Sequence, residues 1–256
     1  MASEAAFLFS VIIPTYNRGD KILATLQSVF AQEEEDFELI VVDDGSTEGT
    51  KQKLAAVKDR RLRYLFKENG ERGAARNHGA QHAKGQYITF LDSDDIWYPN
   101  HLSTAKKFLQ KGNCPIFFQQ YEFTLEDGTK KPNFQPHQSI LNEALIQHGN
   151  FFSCMGVFIE KSVFLDLLFH EDRHLAGSED YDLWLRMAAR YPIYFSNTIT
   201  STLVYHEDRS VLLMDKDRLI KRIELRLKYL LQDAVFWEKY GKYRSVVFFQ
   251  AYSYLA

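Results

Sequence analysis

The sequence predicts an α/β protein with a mostly parallel central sheet flanked by helices. Three observations predict it. Short apolar runs alternate with stretches of helical periodicity through the first half of the chain. These runs are continuous rather than alternating, as strands covered on both faces require. Three of the first four end directly in polar clusters, which is where such a sheet binds its ligands.

Residues 7–13 are apolar and stop at Pro14, as a buried strand does. Asp20 is placed to cap a helix in which Ile22, Leu23, Leu26, Val29 and Phe30 recur at helical spacing. Residues 37–42 make a second strand, ending at Asp43-Asp44-Gly45-Ser46. Residues 50–58 read as helix, 62–67 as strand and 73–83 as a helix of small residues. Residues 86–91 are a fourth strand, ending at Asp92-Ser93-Asp94-Asp95.

Beyond it, 116–125 is apolar and aromatic, and Glu126-Asp127-Gly128-Thr129 suits a hairpin turn. Residues 130–138, with Pro132 and Pro136, read as loop, and 156–160 as a short strand. Ser178 is placed to cap a helix over 179–190, and 193–203 holds one or two strands. From Asp215 the pattern is helical to about Tyr240. Gly241 breaks it, and a further apolar helix stops at Ala256 inside its own pattern, as in a truncated chain.

Charge and composition exclude several functions. With 31 Lys and Arg against 34 Asp and Glu, the net charge is −3. A nucleic-acid binder that works by counterion release needs a basic excess, so none is expected here. Two cysteines, Cys114 and Cys154, are too few for a disulfide scaffold and have no metal-ligand spacing. They favour a reducing, cytoplasmic setting. No apolar run approaches the ~20 residues of a membrane span. Residues 7–13 follow Glu4 and lack a basic leader, so they are not read as a signal peptide.

The acidic strand ends carry the chemistry. Three carboxylates among Asp92, Asp94 and Asp95 repel one another, and a divalent cation resolves that repulsion. Mg²⁺ and Mn²⁺ prefer such oxygen ligands, and Mg²⁺ commonly takes one or two carboxylates plus substrate phosphates. The competing reading is a solvated turn in which Asp94 or Asp95 caps the next helix. Asp43 reads best as part of an Asp-Gly turn, with Ser46 capping the next helix. Arg72 reads as a solvated charge, whereas Arg76, inside a helix of small residues, suits a phosphate. Neither a dinucleotide fingerprint nor a P-loop occurs, so a metal must carry most of a diphosphate's charge.

Five segments now stand in order: Val11 to Asn17, Leu39 to Ser46, Gly73 to Asn77, Phe90 to Asp95, and Glu179-Asp180. Together they resemble glycosyltransferase family 2, whose members are inverting, metal-dependent transferases with the Rossmann-like GT-A fold. The resemblance spans about residues 7 to 210. It implies a nucleotide-sugar donor, UDP-linked, an acceptor hydroxyl on a glycan or lipid-linked sugar, and Mn²⁺ or Mg²⁺ as cofactor. It divides the chain into a nucleotide-sugar-binding and catalytic domain over 1–210 and a helical extension over 211–256.

Residue by residue, Pro14 and Tyr16 resemble the positions near the base, and Asp44 the acceptor of the uracil N3–H. Arg76 resembles an arginine near base and diphosphate, Asp92 the ribose contact and Asp94 the metal ligand. Asp180 resembles the catalytic base, with Glu179 orienting it and Asp182 solvated. His206 falls where relatives place a histidine near the metal, although by itself it reads as a surface residue. The Gln-x-x-Arg-Trp signature of processive relatives is missing after Asp180, so one sugar is transferred per encounter. Trp184 is expected to pack. Donor-sugar and acceptor contacts are expected from residues 116–155.

Residues 215–228 form a basic amphipathic stretch. It suits either a helix packed on the domain or contact with an anionic membrane surface. Residues 246–249 suggest a buried end or one that forms a homodimer. Two other functions fit the same α/β layout: a sugar nucleotidyltransferase and a non-catalytic nucleotide-sugar-binding module. The first strand lacks the glycine- and basic-rich loop that triphosphate chemistry uses. The intact carboxylates argue against the second.

Overall fold

The structure is a computed structural model that describes residues 7–134, 138–207, 209 and 215–253. Its first half is a parallel unit: β1 (Phe7–Thr15), α1 (Ile22–Phe30), β2 (Phe37–Asp43), α2 (Thr50–Ala55), β3 (Leu62–Phe66), α3 (Glu71–Gln81) and β4 (Gly85–Phe90). The strands lie in the order β3-β2-β1-β4. Side chains alternate between two cores, as strand geometry requires. Ile12, Ile40 and Val42 pack under α3, while Val11, Leu39 and Val41 pack with Ile22, Leu26 and Leu54 of α1 and α2. The small residues of α3 let it close on the sheet. A Cβ added at Gly79 would stand 2.6 Å from Ile12 Cγ2.

The second half adds β5 (Ile96–Trp97), α4 (His101–Leu109), β6 (Ile116–Thr124), β7 (Lys130–Pro132), α5 (Asn142–His148), β8 (Val157–Glu160), α6 (Lys161–Leu167), α7 (Glu179–Arg190) and β9 (Ile193–Val204). The sheet continues β4-β8-β6-β9-β5, with β7 paired to β6. Here β8 is antiparallel to both neighbours, and only β6 and β9 run parallel. The sheet is therefore mixed, and its parallel character belongs to the first four strands. Continuous apolar runs report burial on both faces, not chain direction.

Three helices follow: α8 (Lys216–Gln232), α9 (Ala234–Tyr240) and α10 (Arg244–Ser253). Their residues Ile223, Leu227, Leu230, Phe236 and Val247 join the core cluster that holds Trp184 and Met187 of α7. No helix among the described residues is long and apolar enough to cross a membrane. Val247 turns inward, while Phe249 is exposed. The expected domain boundary at 210/211, Pro136 and the end at Ala256 lie outside the described residues.

Several local expectations are corrected. Asp20 does not cap α1; it pairs with Lys53. Ser46 does not cap α2, because its hydroxyl accepts from Asn17 N. Ser178 occupies the N-cap position of α7 without a capping hydrogen bond. The expected loop at 130–138 begins with β7, since Lys130, Lys131 and Pro132 pair with β6 across the turn. The long C-terminal helix breaks at Asp233, whose carboxylate accepts from Phe236 N and so starts α9.

Candidate active site

Register brings the polar strand ends together. Thr15 is paired with Asp43, and Asp44 N donates to Thr15 O at 2.8 Å. Leu91 N donates to Ile12 O at 3.1 Å, which sets Asp92 beside the end of β1. These ends open into a cleft of about 480 Å³, lined by Pro14, Tyr16, Asp44, Asp92 and Asp94 among others. Tyr16 is half exposed there.

Asp43 and Asp44 divide into different tasks. Asp43 is fully buried and accepts from Ser46 N and Tyr64 Oη, both at 2.8 Å. It forms the turn, with Gly45 at φ 84°. Asp44 faces the cleft. Its Oδ1 accepts from Lys67 Nζ at 2.8 Å and Gly70 N at 2.9 Å, and its Oδ2 from Asn69 Nδ2 at 3.1 Å. Oδ2 thus keeps a lone pair for a ligand.

Arg76 takes a place the sequence does not reveal. It is 1% exposed and absent from the lining of the cleft. Its Nη2 donates to Asp92 Oδ1 at 2.6 Å and its Nη1 to Glu179 Oε1 at 2.8 Å. Any influence on a ligand therefore passes through Asp92. Burial works against the Asp92 charge, but Arg76 and then Arg72 hold its carboxyl below the ordinary carboxylate range. The cations that do line the cleft are Arg18, Arg72, Arg173 and Arg209. Arg72 is not the solvated charge expected: it also stands 3.9 Å from Glu179.

Asp180 opens α7 beside this bridge. Its Oδ1 accepts from Tyr181 N at 2.6 Å and its Oδ2 from Asn150 Nδ2 at 3.3 Å. Asn150 belongs to the stretch from which acceptor contacts are expected. Burial, and then the neighbouring Glu179 charge, push the Asp180 carboxyl up to about 6. Asp182 is buried rather than solvated, and Arg186 engages it at 2.9 Å. Trp184 packs as expected, fully buried edge-on to Phe118.

His206 comes to Asp94 across 112 residues. Lys21 Nζ donates to its Nδ1 at 2.9 Å, which leaves Nε2 to donate to Asp94 Oδ2 at 2.9 Å. One carboxylate oxygen and one imidazole nitrogen at this spacing fit two ligands of a divalent ion. Among the described residues no group of three or more such side chains gathers. The remaining ligands would have to be phosphate oxygens or water, as Mg²⁺ sites commonly use.

Asp95 neither caps α4 nor faces the cleft. It is fully buried and accepts from Val204 N at 3.1 Å and from Arg209 Nη1 at 3.0 Å. Arg209 also donates to Val204 O at 2.7 Å. The pair ties down the segment that carries His206. Burial pushes the Asp95 carboxyl up to about 7 despite Arg209. The sequence reading missed Arg209 and the cleft residues Arg18, Asn69 and Arg173. Arg209 lies three residues after His206, which was the one available signal.

An uncharacterised glycosyltransferase of Rickettsia felis is 32% identical over 212 residues, 79% of this chain and 35% of its own. The chain thus spans about a third of that relative's length. The Escherichia coli UDP-Glc:alpha-D-GlcNAc-diphosphoundecaprenol beta-1,3-glucosyltransferase WfgD is 32% identical over 180 residues, covering 70% of this chain and 69% of WfgD. The crystal structure of S. aureus TarS 1-349 in complex with UDP-GlcNAc superposes with a TM-score of 0.79 at 21% identity, over 96% of this chain and 73% of that one. That likeness shows the GT-A fold. The family model described as glycosyl transferase family 2 matches residues 10–167, well over half of the chain. The chain belongs to glycosyl transferase family 2.

Proposed function

We propose that this chain is an inverting, metal-dependent glycosyltransferase that moves one sugar from a UDP-linked donor to an acceptor hydroxyl. One observation carries the reading. Asp44, Asp92 and Asp94 meet at one cleft, His206 reaches Asp94, and Arg76 and Glu179 link Asp92 to the segment of Asp180. The name of WfgD supports a UDP donor and a diphosphate-lipid acceptor, in polysaccharide or glycoconjugate synthesis.

Tyr16 packs on the base, and the open lone pair of Asp44 Oδ2 accepts from the uracil N3–H. Asp92, kept ionised by Arg76, accepts from the ribose hydroxyls. Asp94 and His206 would hold the divalent ion, the imidazole through Nε2 as the tautomer protonated on Nδ1, with the Lys21 contact released. When bound, the ion supplies positive charge to the departing diphosphate. Arg18 and Arg72 add charge from the cleft wall. Asp180 takes the proton of the acceptor hydroxyl as its oxygen attacks the anomeric carbon. The bond to the diphosphate oxygen breaks on the opposite face, which inverts the configuration. A base with its pKa near 6 is ionised at neutral pH yet basic enough to act.

Calorimetric titration of UDP with and without Mn²⁺ tests the reading. Binding strengthened by Mn²⁺ is expected, and no binding in either condition would refute it. Asp180→Asn should then bind UDP normally and fail to transfer.

A further inference from the structure

We infer that Arg222 and Arg226 of α8, together with Arg72, seat the diphosphate of a lipid-linked acceptor beside Asp180. This rests on the proposed role of Asp180 as base, and it gives the C-terminal helices a part in the reaction.

The placement is specific. Arg222 Nη1 donates to Gly177 O at 3.1 Å. One helical turn on, Arg226 Nη1 reaches Ser178 Oγ at 3.5 Å, and its guanidinium lies 4.7 Å over the Tyr181 ring. These contacts bracket Glu179 and Asp180 from both sides. Positions i and i+4 share a helix face, so the two guanidinium groups point the same way. From the donor cleft, Arg72 approaches Glu179 at 3.9 Å.

Glu179 and Asp180 attract the Arg222 charge, but burial together with Arg226 and Arg72 outweighs them. Glu179 is already engaged by Arg76 at 2.8 Å. Among the described residues Arg222 makes no ion pair, and its buried Nε has no hydrogen-bond partner. Burial, and then the Arg226 charge, hold the Arg222 guanidinium below its ordinary pKa. An arginine so placed gains from an anion, and two parallel forks suit the oxygens of a diphosphate. The donor's own diphosphate is proposed at Asp94 and His206, and neither Arg222 nor Arg226 lines that cleft. An acceptor diphosphate seated here would deliver its sugar hydroxyl toward Asp180.

The test uses the whole chain loaded with UDP and excess Mn²⁺, titrated with geranyl diphosphate. Wild type should bind it, and Arg222→Gln and Arg226→Gln should each weaken binding at least tenfold. Arg226→Lys should recover part of the loss, and UDP affinity should stay within twofold throughout. Three results would overturn the inference: no binding by wild type, unchanged binding by both variants, or a parallel loss of UDP affinity. The last would assign the arginines to the donor. If Arg222→Gln fails to fold, Arg226→Gln alone decides. Titration without UDP reads the seat separately. Geranyl diphosphate binding with no UDP binding would therefore refute the donor reading and spare this one.

Discussion

Arg76 and Glu179 stand 103 residues apart in the chain, and their charges meet at 2.8 Å inside the protein. The same guanidinium holds Asp92 at 2.6 Å. One buried cation thus ties the end of β4 to the start of α7. That bridge joins the segments proposed to hold the donor and the base.

Removing the bridge should cost stability first. Arg76→Met leaves Glu179, only 3% exposed, without its main counter-charge. Deleting one partner of a buried pair typically costs about 3–5 kcal/mol. Thermal melting should show a fall of several degrees, and adding Glu179→Gln should restore part of it. A variant that melts with wild type would show that the bridge does not hold the fold.

Transfer should depend on the ionised form of Asp180. Its carboxyl is pushed up to about 6, so kcat should rise with pH through about 6 and level off above 7. Stability carries the opposite sign. A carboxyl whose folded pKa lies above its unfolded value stabilises at low pH and loses that contribution as pH rises through about 6. Asp180→Asn should therefore melt higher than wild type at pH 7.5, with the difference closing near pH 4. Its activity should fall by about 10²–10⁴-fold, the usual worth of a general base.

Asp94 and His206 should act on metal-dependent binding alone. Asp94→Ala and His206→Ala should each remove most of the Mn²⁺-dependent gain in UDP affinity and leave metal-free affinity unchanged. Chelation by EDTA should bring wild type to the same level. Equal Mn²⁺ response in His206→Ala and wild type would take the histidine out of the site.

Asp95 should matter to the ion without touching it. Its carboxylate holds Val204 N and Arg209, and the segment between them carries His206. Asp95→Ala should weaken the Mn²⁺-dependent gain in UDP affinity as His206→Ala does. If the gain persists in full, the segment is held by other contacts.

Gly79→Ala should move α3 rather than merely fill space. The new Cβ would sit 2.6 Å from Ile12 Cγ2 and 3.0 Å from Val42 Cγ2, both in the packed core. Overpacking of this kind costs about 1–3 kcal/mol. The better helix propensity of alanine returns only about 1 kcal/mol. A lower melting temperature is expected, and UDP affinity should fall too, because α3 carries Arg76. A higher melting temperature would mean that the helix shifts freely.

Strands and helices along the first ninety or so residues were legible because local periodicity sets them, and burial bears the pattern out in β1, β2 and β4, while the edge strand β3 is only partly buried and leaves Phe66 exposed. The acidic ends were legible because Asp44, Asp92 and Asp94 directly follow apolar runs. Caps were less legible. Asp20, Ser46 and Asp95 all have the right residue type for a helix start, yet each serves a more distant partner. A capping side chain gains one hydrogen bond locally, and an ion pair or loop contact elsewhere can outbid it.

By itself, then, the sequence determined the α/β class, the polar strand ends and the family, since all three reside in contiguous segments and their order. Tertiary structure decided which charges meet. Arg76 faces Asp92 and Glu179 instead of the cleft, His206 meets Asp94, and α8 brings Arg222 to Gly177. The direction of β8 was settled at that level too. Periodicity records how deeply a side chain is buried. Which partner neutralises it depends on packing between segments that lie far apart in the chain.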